Sequence, residues 1–142
     1  MGEADIESHV VPGSLDLLLC LDVLEHLVDP WATMRRLSPL LAPGGLCIVS
    51  VPNIRNWKFI ARLAWSGDFH YRDAGLLDRT HLRFFVRETA QELATVGGLD
   101  LVGAYDARLY ARTDVRALLG KLTRGRATDL IAKQWIVVAK QP

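Results

Sequence analysis

From Leu15 to Leu21 the chain reads Leu-Asp-Leu-Leu-Leu-Cys-Leu, an almost unbroken apolar run of strand length. Such a run predicts a strand covered on both faces, its type set by its shortness and the break after it, because leucine itself is a weak strand former. After Asp22 to Val28, Asp29 is a predicted N-cap and Pro30 a good first helical residue, since its missing N–H is one the helix cannot satisfy internally. Trp31, Met34, Leu37 and Leu41 then recur at helical spacing, with Arg35, Arg36 and Ser38 expected outward. Pro43, Gly44 and Gly45 are the predicted stop, and Leu46 to Val51, rich in Ile and Val, resumes as a second strand. Strand, helix, strand in this order is a βαβ unit with parallel strands and a right-handed crossover. Met1 to Ser14, closed by the turn Pro12-Gly13-Ser14, reads as a lead-in.

Beyond Pro52 and Asn53, Trp57, Ile60, Ala61 and Ala64 predict a short helix that turns Lys58 and Arg62 away from the core. Gly67 to Phe85 has no period and mixes charge with aromatic rings, a composition typical of a structured functional loop. Arg87 to Val96 predicts a helix packing through Leu93, Ala94 and Val96 and stopped by Gly97 and Gly98. Leu99 to Ala104 reads as a strand running on toward Tyr110, Asp114 to Leu122 as a helix, and Trp135 to Ala139 as a final strand. No linker or internal repeat divides these elements.

With 142 residues, half of them apolar and 23% charged, the chain suits one globular domain that buries roughly 70% of its unfolded surface. Its formal charge of +1 gives no reason to expect a polyanionic partner. Arg108, Arg112, Arg116, Lys121, Arg124 and Arg126 invite a nucleic-acid reading, but no recognition module accompanies them, and a solvated face, or contact with an anionic substrate or membrane surface, fits better. Cys20 and Cys47 sit inside apolar strand segments and are expected as buried, reduced thiols. No apolar run is long enough to cross a bilayer, and the acids among the first residues argue against a secretory leader, so a cytoplasmic location is expected.

Four segments carry a resemblance. Asp22-Val23-Leu24-Glu25-His26-Leu27-Val28-Asp29-Pro30, then Leu40-Leu41-Ala42-Pro43-Gly44-Gly45, then Ser50-Val51-Pro52-Asn53, resemble the fourth strand, following helix and fifth strand of class I S-adenosylmethionine-dependent methyltransferases. Leu77-Asp78-Arg79-Thr80-His81-Leu82-Arg83-Phe84-Phe85 is similar to a substrate-side signature of a bacterial small-molecule subgroup. The resemblance implies an α/β, three-layer, Rossmann-like fold whose full sheet order is 3-2-1-4-5-7-6 with strand 7 reversed. Here strands 4, 5, 6 and 7 are expected, giving 4-5-7-6, with strands 1 to 3 missing. The chain is then a single truncated domain: lead-in 1–14, βαβ unit 15–51, substrate-side helices and loop 52–98, and a C-terminal strand pair with an inserted basic helix 99–142. No strand leads into a glycine-rich turn and helix before Leu15, so the nucleotide end of the cofactor lacks its usual cradle.

By the same resemblance Asp22 and Val23 lie along the methionine part of S-adenosylmethionine, and Asp5 resembles the acid near the adenine. Asp22 has a plain alternative as the cap of the turn Leu24 to Leu27. His26 is a candidate general base, because an imidazole titrating near neutrality can take a proton from an attacking hydroxyl, and His81 is a second. Glu25 and His26, being adjacent, are expected to point apart. Trp57, Tyr71, Asp78 and Arg79 are candidates for the acceptor pocket, Arg79 through its planar fork; the plain alternative pairs Asp78 with Arg79 to fix the loop while Phe84 and Phe85 anchor it. Asp22, His26, His70 and His81 show no metal-ligand spacing, and no metal is expected. The functional expectation is methyl transfer to a small-molecule acceptor in a complete fold. The rival is a non-catalytic remnant or assembly subunit, which dimerises or takes up an N-terminal chain along the unpaired edge of Leu15 to Leu21.

Overall fold

The computed structural model describes residues 9–107 and 126–142, without the side chains of residues 126–128. Asp5, the strand extension to Tyr110, and the basic helix Asp114 to Leu122 with its neighbouring arginines fall outside the described residues. Strands β1 (Leu15–Leu21), β2 (Leu41–Pro52), β3 (Asp100–Asp106) and β4 (Gln134–Lys140) form one sheet in the order β1-β2-β4-β3. β1 runs parallel to β2, with Leu17 opposite Leu46 and Leu21 opposite Ser50. β4 is antiparallel to both β2 and β3. This is the 4-5-7-6 order with one reversed strand that the resemblance implies.

Alternation along the strands decides where the core lies. Cys20, Cys47, Val49, Val51, Trp135, Val137 and Ala139 are buried on one face. Helices α1 (Pro30–Leu37) and α3 (Arg87–Thr95) close over them through Met34, Ala90, Leu93 and Ala94. Each large apolar side chain covered in this way is worth about 1.5–3 kcal/mol of transfer free energy. The opposite face leaves Leu17, Leu19 and Leu21 about half exposed, and among the described residues β1 pairs only with β2. Both cysteines are buried free thiols.

Asp29 caps α1 as expected, its Oδ1 accepting from the N–H of Ala32 at 2.9 Å. The predicted run of this helix to Leu41 is corrected. α1 ends at Leu37, a 3-10 turn spans Ser38–Leu40, and Leu41 already begins β2, so Pro43, Gly44 and Gly45 lie inside the strand instead of stopping the helix. Pro39 has no N–H with which to continue the helical ladder. Ser38, expected outward, is buried, and its Oγ donates to the Met34 carbonyl at 2.7 Å.

The stripe read on the second helix is corrected as well. In α2 (Trp57–Ser66) the only buried residue is Phe59, while Trp57, Ile60, Ala61 and Ala64 are exposed. The cause is the anchoring of the helix start. Buried Asn56 donates to the carbonyls of Ile131 and Ala132 at 3.2 and 3.0 Å while its Oδ1 caps Lys58 N–H at 3.1 Å. Asn53 likewise donates to the carbonyls of Asp129 and Ala132. These two amides satisfy orphan carbonyls at the end of α4 (Arg126–Ile131) and set the rotation of α2 about its axis.

Gly97 marks the tightest approach between the helices, since a Cβ there would lie 2.1 Å from Ser38 Oγ and 2.4 Å from its Cβ. Gly97→Ala is therefore expected to destabilise the chain by about 1–3 kcal/mol through overpacking. Thermal unfolding followed by circular dichroism measures it; an unchanged melting temperature would show that the Ser38 turn moves aside freely.

Candidate active site

In an open α/β sheet, loops leaving the carboxyl ends of parallel strands gather on one side and form a crevice. Here that crevice is a cleft of about 600 Å³ walled by Asp22 and the turn after β1, by Pro52 and Asn53 after β2, by Lys133 and Gln134 before β4, and by the loop 72–81. Lys58, Arg62 and Arg72 also face it, so its wall carries several cations.

Asp22 has φ +52°, the one non-glycine residue with positive φ among those described. That conformation is uncommon for a side-chain-bearing residue and is kept only where neighbours over-determine it. They do so here: its N–H donates to the Ser50 carbonyl at 3.1 Å, Ser50 Oγ donates to its Oδ1 at 2.8 Å, and Gln134 Nε2 donates to the same oxygen. The alternative of Asp22 capping the following turn is not what the structure shows, because that turn has no side-chain cap. Val23 is exposed, and its carbonyl accepts from His26 N–H at 3.1 Å.

The two motifs that carry the resemblance form one unit. The Glu25 carbonyl accepts from the N–H groups of both Leu82 and Arg83, at 2.8 and 3.0 Å, and an Arg83 guanidinium nitrogen donates to the Val28 carbonyl. His26 Nδ1 lies 3.2 Å from the Thr80 carbonyl and His81 Nδ1 lies 3.1 Å from the Leu76 carbonyl. A carbonyl only accepts, so each Nδ1 carries hydrogen, and in the neutral rings each Nε2 keeps its lone pair. The two rings meet edge to face with centroids 4.7 Å apart.

Glu25 was not anticipated in the site. It is 1% exposed, and neither carboxylate oxygen has a hydrogen-bond partner. Contrary to the expectation that neighbours diverge, ligand atoms of Glu25, His26 and His81 all lie within 4.8 Å of one another. Burial raises the Glu25 pKa above its ordinary value, and the nearby Asp22 charge adds to the rise.

The four residues expected to hold the acceptor stand outside this wall. Asp78 Oδ1 is taken by its own loop, accepting from Thr80 N–H at 2.9 Å and Thr80 Oγ1 at 2.7 Å, and those bonds hold its carboxyl below the ordinary range. Arg79 pairs with Asp73 at 2.7 Å, so the alternative of an Asp78–Arg79 bridge is also corrected. Trp57 lies on the exposed side of α2 with Lys58 Nζ over its ring, and Tyr71 stacks edge-on against Phe69. Phe69 in turn meets Phe59 and Phe84, and buried Phe85 meets Trp31, so aromatic contacts do anchor the loop. His70 reaches Asp68 at 2.8 Å; that bond, with Arg62 and Arg72 nearby, lowers the Asp68 pKa to about 2.

An α/β sheet of this order with a cleft beyond the parallel strand ends defines a nucleotide-cofactor type of fold. Its family follows from residues 4–103, which match the methyltransferase domain model. The chain belongs to that family of class I methyltransferases. Ubiquinone biosynthesis O-methyltransferases of Xanthomonas campestris pv. campestris and Xanthomonas euvesicatoria pv. vesicatoria are each 33% identical to it, over 75% of this chain and 48% of theirs. The chain thus spans about half the length of the curated relatives it matches. A SAM dependent methyltransferase from Archaeoglobus fulgidus shares the fold at TM-score 0.57 and 14% identity, covering 99% of this chain and 66% of that one. An S-adenosylmethionine dependent methyltransferase from Mesorhizobium loti does so at TM-score 0.55 and 15% identity, covering 99% and 68%. S-adenosylmethionine is the cofactor that goes with this family.

Because the folded chain holds the Glu25 proton more tightly than the unfolded chain, this group adds stability at low pH and loses it as pH rises from the ordinary 4.5 through the raised value. Asp22, His26 and His81 face the same carboxylate and modulate the loss. Between pH 4.5 and 7.5, in chelator-containing buffer, wild type is expected to lose more stability than Glu25→Gln. Urea unfolding at a series of pH values measures the difference, and parallel curves would refute it.

Proposed function

We propose that this chain forms the C-terminal, acceptor-side half of an S-adenosylmethionine-dependent O-methyltransferase acting on a small hydroxylated molecule. The observation that carries the reading is one cleft lined by a fixed, accessible carboxylate at the strand end and by two histidines whose Nδ1 atoms are tied to backbone carbonyls. Asp22 suits the ammonium group of the methionine moiety, being held by Ser50 and Gln134 with its second oxygen free of those bonds. Val23, exposed and outside the cleft lining, is assigned to the methionine end and Asp5 to the adenine end by the resemblance alone. The described residues include no strand leading through a glycine turn into a helix, so they fit one end of the cofactor and not the other.

When bound, S-adenosylmethionine supplies an electrophilic methyl group on its sulfonium. The chain's own part is to hold the acceptor oxygen in line and to relieve it of its proton, and positioning contributes most of the rate. His26 and His81, with Nε2 free and Nδ1 anchored on backbone carbonyls, form the part of the cleft where that proton is drawn off. Trp57 and Tyr71, exposed and outside the lining, are kept as candidate contacts for the larger parts of an acceptor, while Asp78 and Arg79 keep the loop in shape. The relatives' name, O-methyltransferase in ubiquinone biosynthesis, favours an aromatic hydroxyl as the accepting group. Two reduced, buried thiols accord with a cytoplasmic location.

Calorimetry with S-adenosylmethionine tests this reading. The 142-residue chain alone is expected to give no saturable heat, and a longer protein in which the N-terminal half of a ubiquinone biosynthesis O-methyltransferase relative is joined before it is expected to bind stoichiometrically. In that longer protein Asp22→Asn, which tolerates the left-handed backbone, should weaken binding about tenfold. Tight capture by the short chain would overturn the half-site reading, and unchanged affinity in the variant would overturn the role of Asp22.

A second reading, an assembly or interaction subunit, is favoured by β1, which among the described residues pairs on one side only and leaves Leu17, Leu19 and Leu21 half exposed. An unpaired apolar strand recruits another strand. A homodimer, or pairing with an N-terminal chain, is the expected result. Light scattering across micromolar concentrations checks it, and a monodisperse monomer would refute it.

A further inference from the structure

We propose that Glu25, His26 and His81 form a binding site for one divalent transition-metal cation at the buried side of the cleft. Two neutral imidazoles and one carboxylate suit zinc, cobalt, manganese or ferrous iron, whose ligands are nitrogen and oxygen, better than calcium or magnesium. This runs against the expectation from ligand spacing along the sequence, which found no metal site.

Four observations converge on it. A carboxylate removed from water is costly unless a hydrogen bond or a counter-charge meets it, and Glu25 is 1% exposed with both oxygens unpartnered. His26 and His81 each give their Nδ1 hydrogen to a backbone carbonyl, at 3.2 and 3.1 Å. That is how metal-ligating histidines are held, the outer hydrogen bond fixing ring and tautomer so that Nε2 presents its lone pair. Three atoms no more than 4.8 Å apart share a point within about 2.8 Å of each, so side-chain shifts of under about 1 Å bring them to zinc bonding distance. Finally, the trio faces a cleft of about 600 Å³, which leaves coordination positions for a ligand. Asp22 and His70 stay outside the set: Asp22 is engaged by Ser50 and Gln134, and His70 has a side chain 88% exposed and bonded to Asp68.

The site is incomplete in either motif alone. Glu25 and His26 come from the turn after β1, and His81 is brought to them by the two N–H groups that the Glu25 carbonyl accepts from Leu82 and Arg83. A consequence for chemistry, which rests on the methyl-transfer reading as the ion site itself does not, is that His26 and His81 act as ligands and not as bases. A hydroxyl oriented on a divalent ion releases its proton to water more readily than a free one. The net positive site then favours the oxyanion form of the acceptor.

The test titrates the 142-residue chain, freed of metal by chelator and dialysis, with cobalt(II) chloride followed by visible absorption and with zinc chloride followed by calorimetry. One ion per chain at micromolar or tighter affinity is expected, with a rise in melting temperature on zinc addition. Glu25→Gln and His81→Ala should each weaken binding tenfold or more, whereas His70→Ala should leave it unchanged. Glu25→Gln conserves volume and removes a buried charge, so metal-free it folds at least as stably as wild type, and its loss of binding cannot be laid to misfolding. Absence of one-to-one cobalt absorption, or variants at Glu25 and His81 that bind like wild type, would overturn the site. Stoichiometric cobalt binding together with failure of any methyl transfer by the longer protein would leave the site standing and remove only its link to that chemistry.

Discussion

The backbone carbonyl of Glu25 is the constraint on which the cleft depends. It accepts two successive N–H groups, from Leu82 and Arg83, and so joins the turn after β1 to a loop more than fifty residues further along the chain. A segment without regular structure must find partners for its peptide groups elsewhere, and here it finds them on the first parallel strand's exit. His26 repeats the tie through the Thr80 carbonyl. Without these bonds the loop would be tied to the rest of the fold chiefly through Arg83 on the Val28 carbonyl, the Ile54 N–H on the Phe85 carbonyl and its aromatic contacts. The cleft would then lack the wall that faces Asp22.

Local signals in the sequence were read correctly where local physics decides the outcome. β1 has the bounds its apolar run predicts, and Asp29 with Pro30 starts α1 because the cap and the missing N–H act within four residues. The strand order also follows, since it came from the combined motifs and not from any single element. Ser38 and the packing face of α2, expected at Trp57, Ile60, Ala61 and Ala64, differ for the opposite reason. Ser38 turns inward because Gly97, nearly sixty residues away, leaves room for it and no room for anything more. α2 presents Phe59 instead of Trp57 and Ile60 because Asn53 and Asn56 hold its start against carbonyls of α4. A helix with apolar residues on several sides has no preferred face until such a contact sets its rotation.

The site was half legible. Asp22, His26 and His81 follow from the rule that ligands gather at strand ends and from the family likeness, and all three line the cleft. Glu25 was passed over because adjacent residues in a helix or strand diverge, an argument that assumes regular geometry. In the single 3-10 turn Leu24–His26 the imidazole is instead drawn aside by Thr80, and both side chains reach one point. A visible signal existed in the Glu25-His26 pair set between Leu24 and Leu27, where ionisable groups interrupt an apolar run. Asp78 and Arg79 were overvalued because a charged pair in an aromatic loop looks the same whether it meets a ligand or its own backbone. Only the Asx turn to Thr80 and the pairing with Asp73 distinguish the two.

What the cleft achieves electrostatically follows from which atoms do the positioning. Side-chain partners such as carboxylates would make the histidines more basic and draw them toward the charged form, at which point Nε2 has no lone pair to offer. Carbonyl partners fix the same ring orientation while adding no net charge. Glu25 is the buried carboxylate beside the rings, with Asp22 and Asp78 acting on the same cluster through space, and Lys58, Arg62 and Arg72 line the wall as well, the two arginines paired with Asp68. The cations that line the wall and the two histidines held through Nδ1 thus share one cleft with the unpartnered Glu25 carboxylate, an arrangement that a proton or a metal ion can complete but that the hydrogen bonds of the described residues leave open.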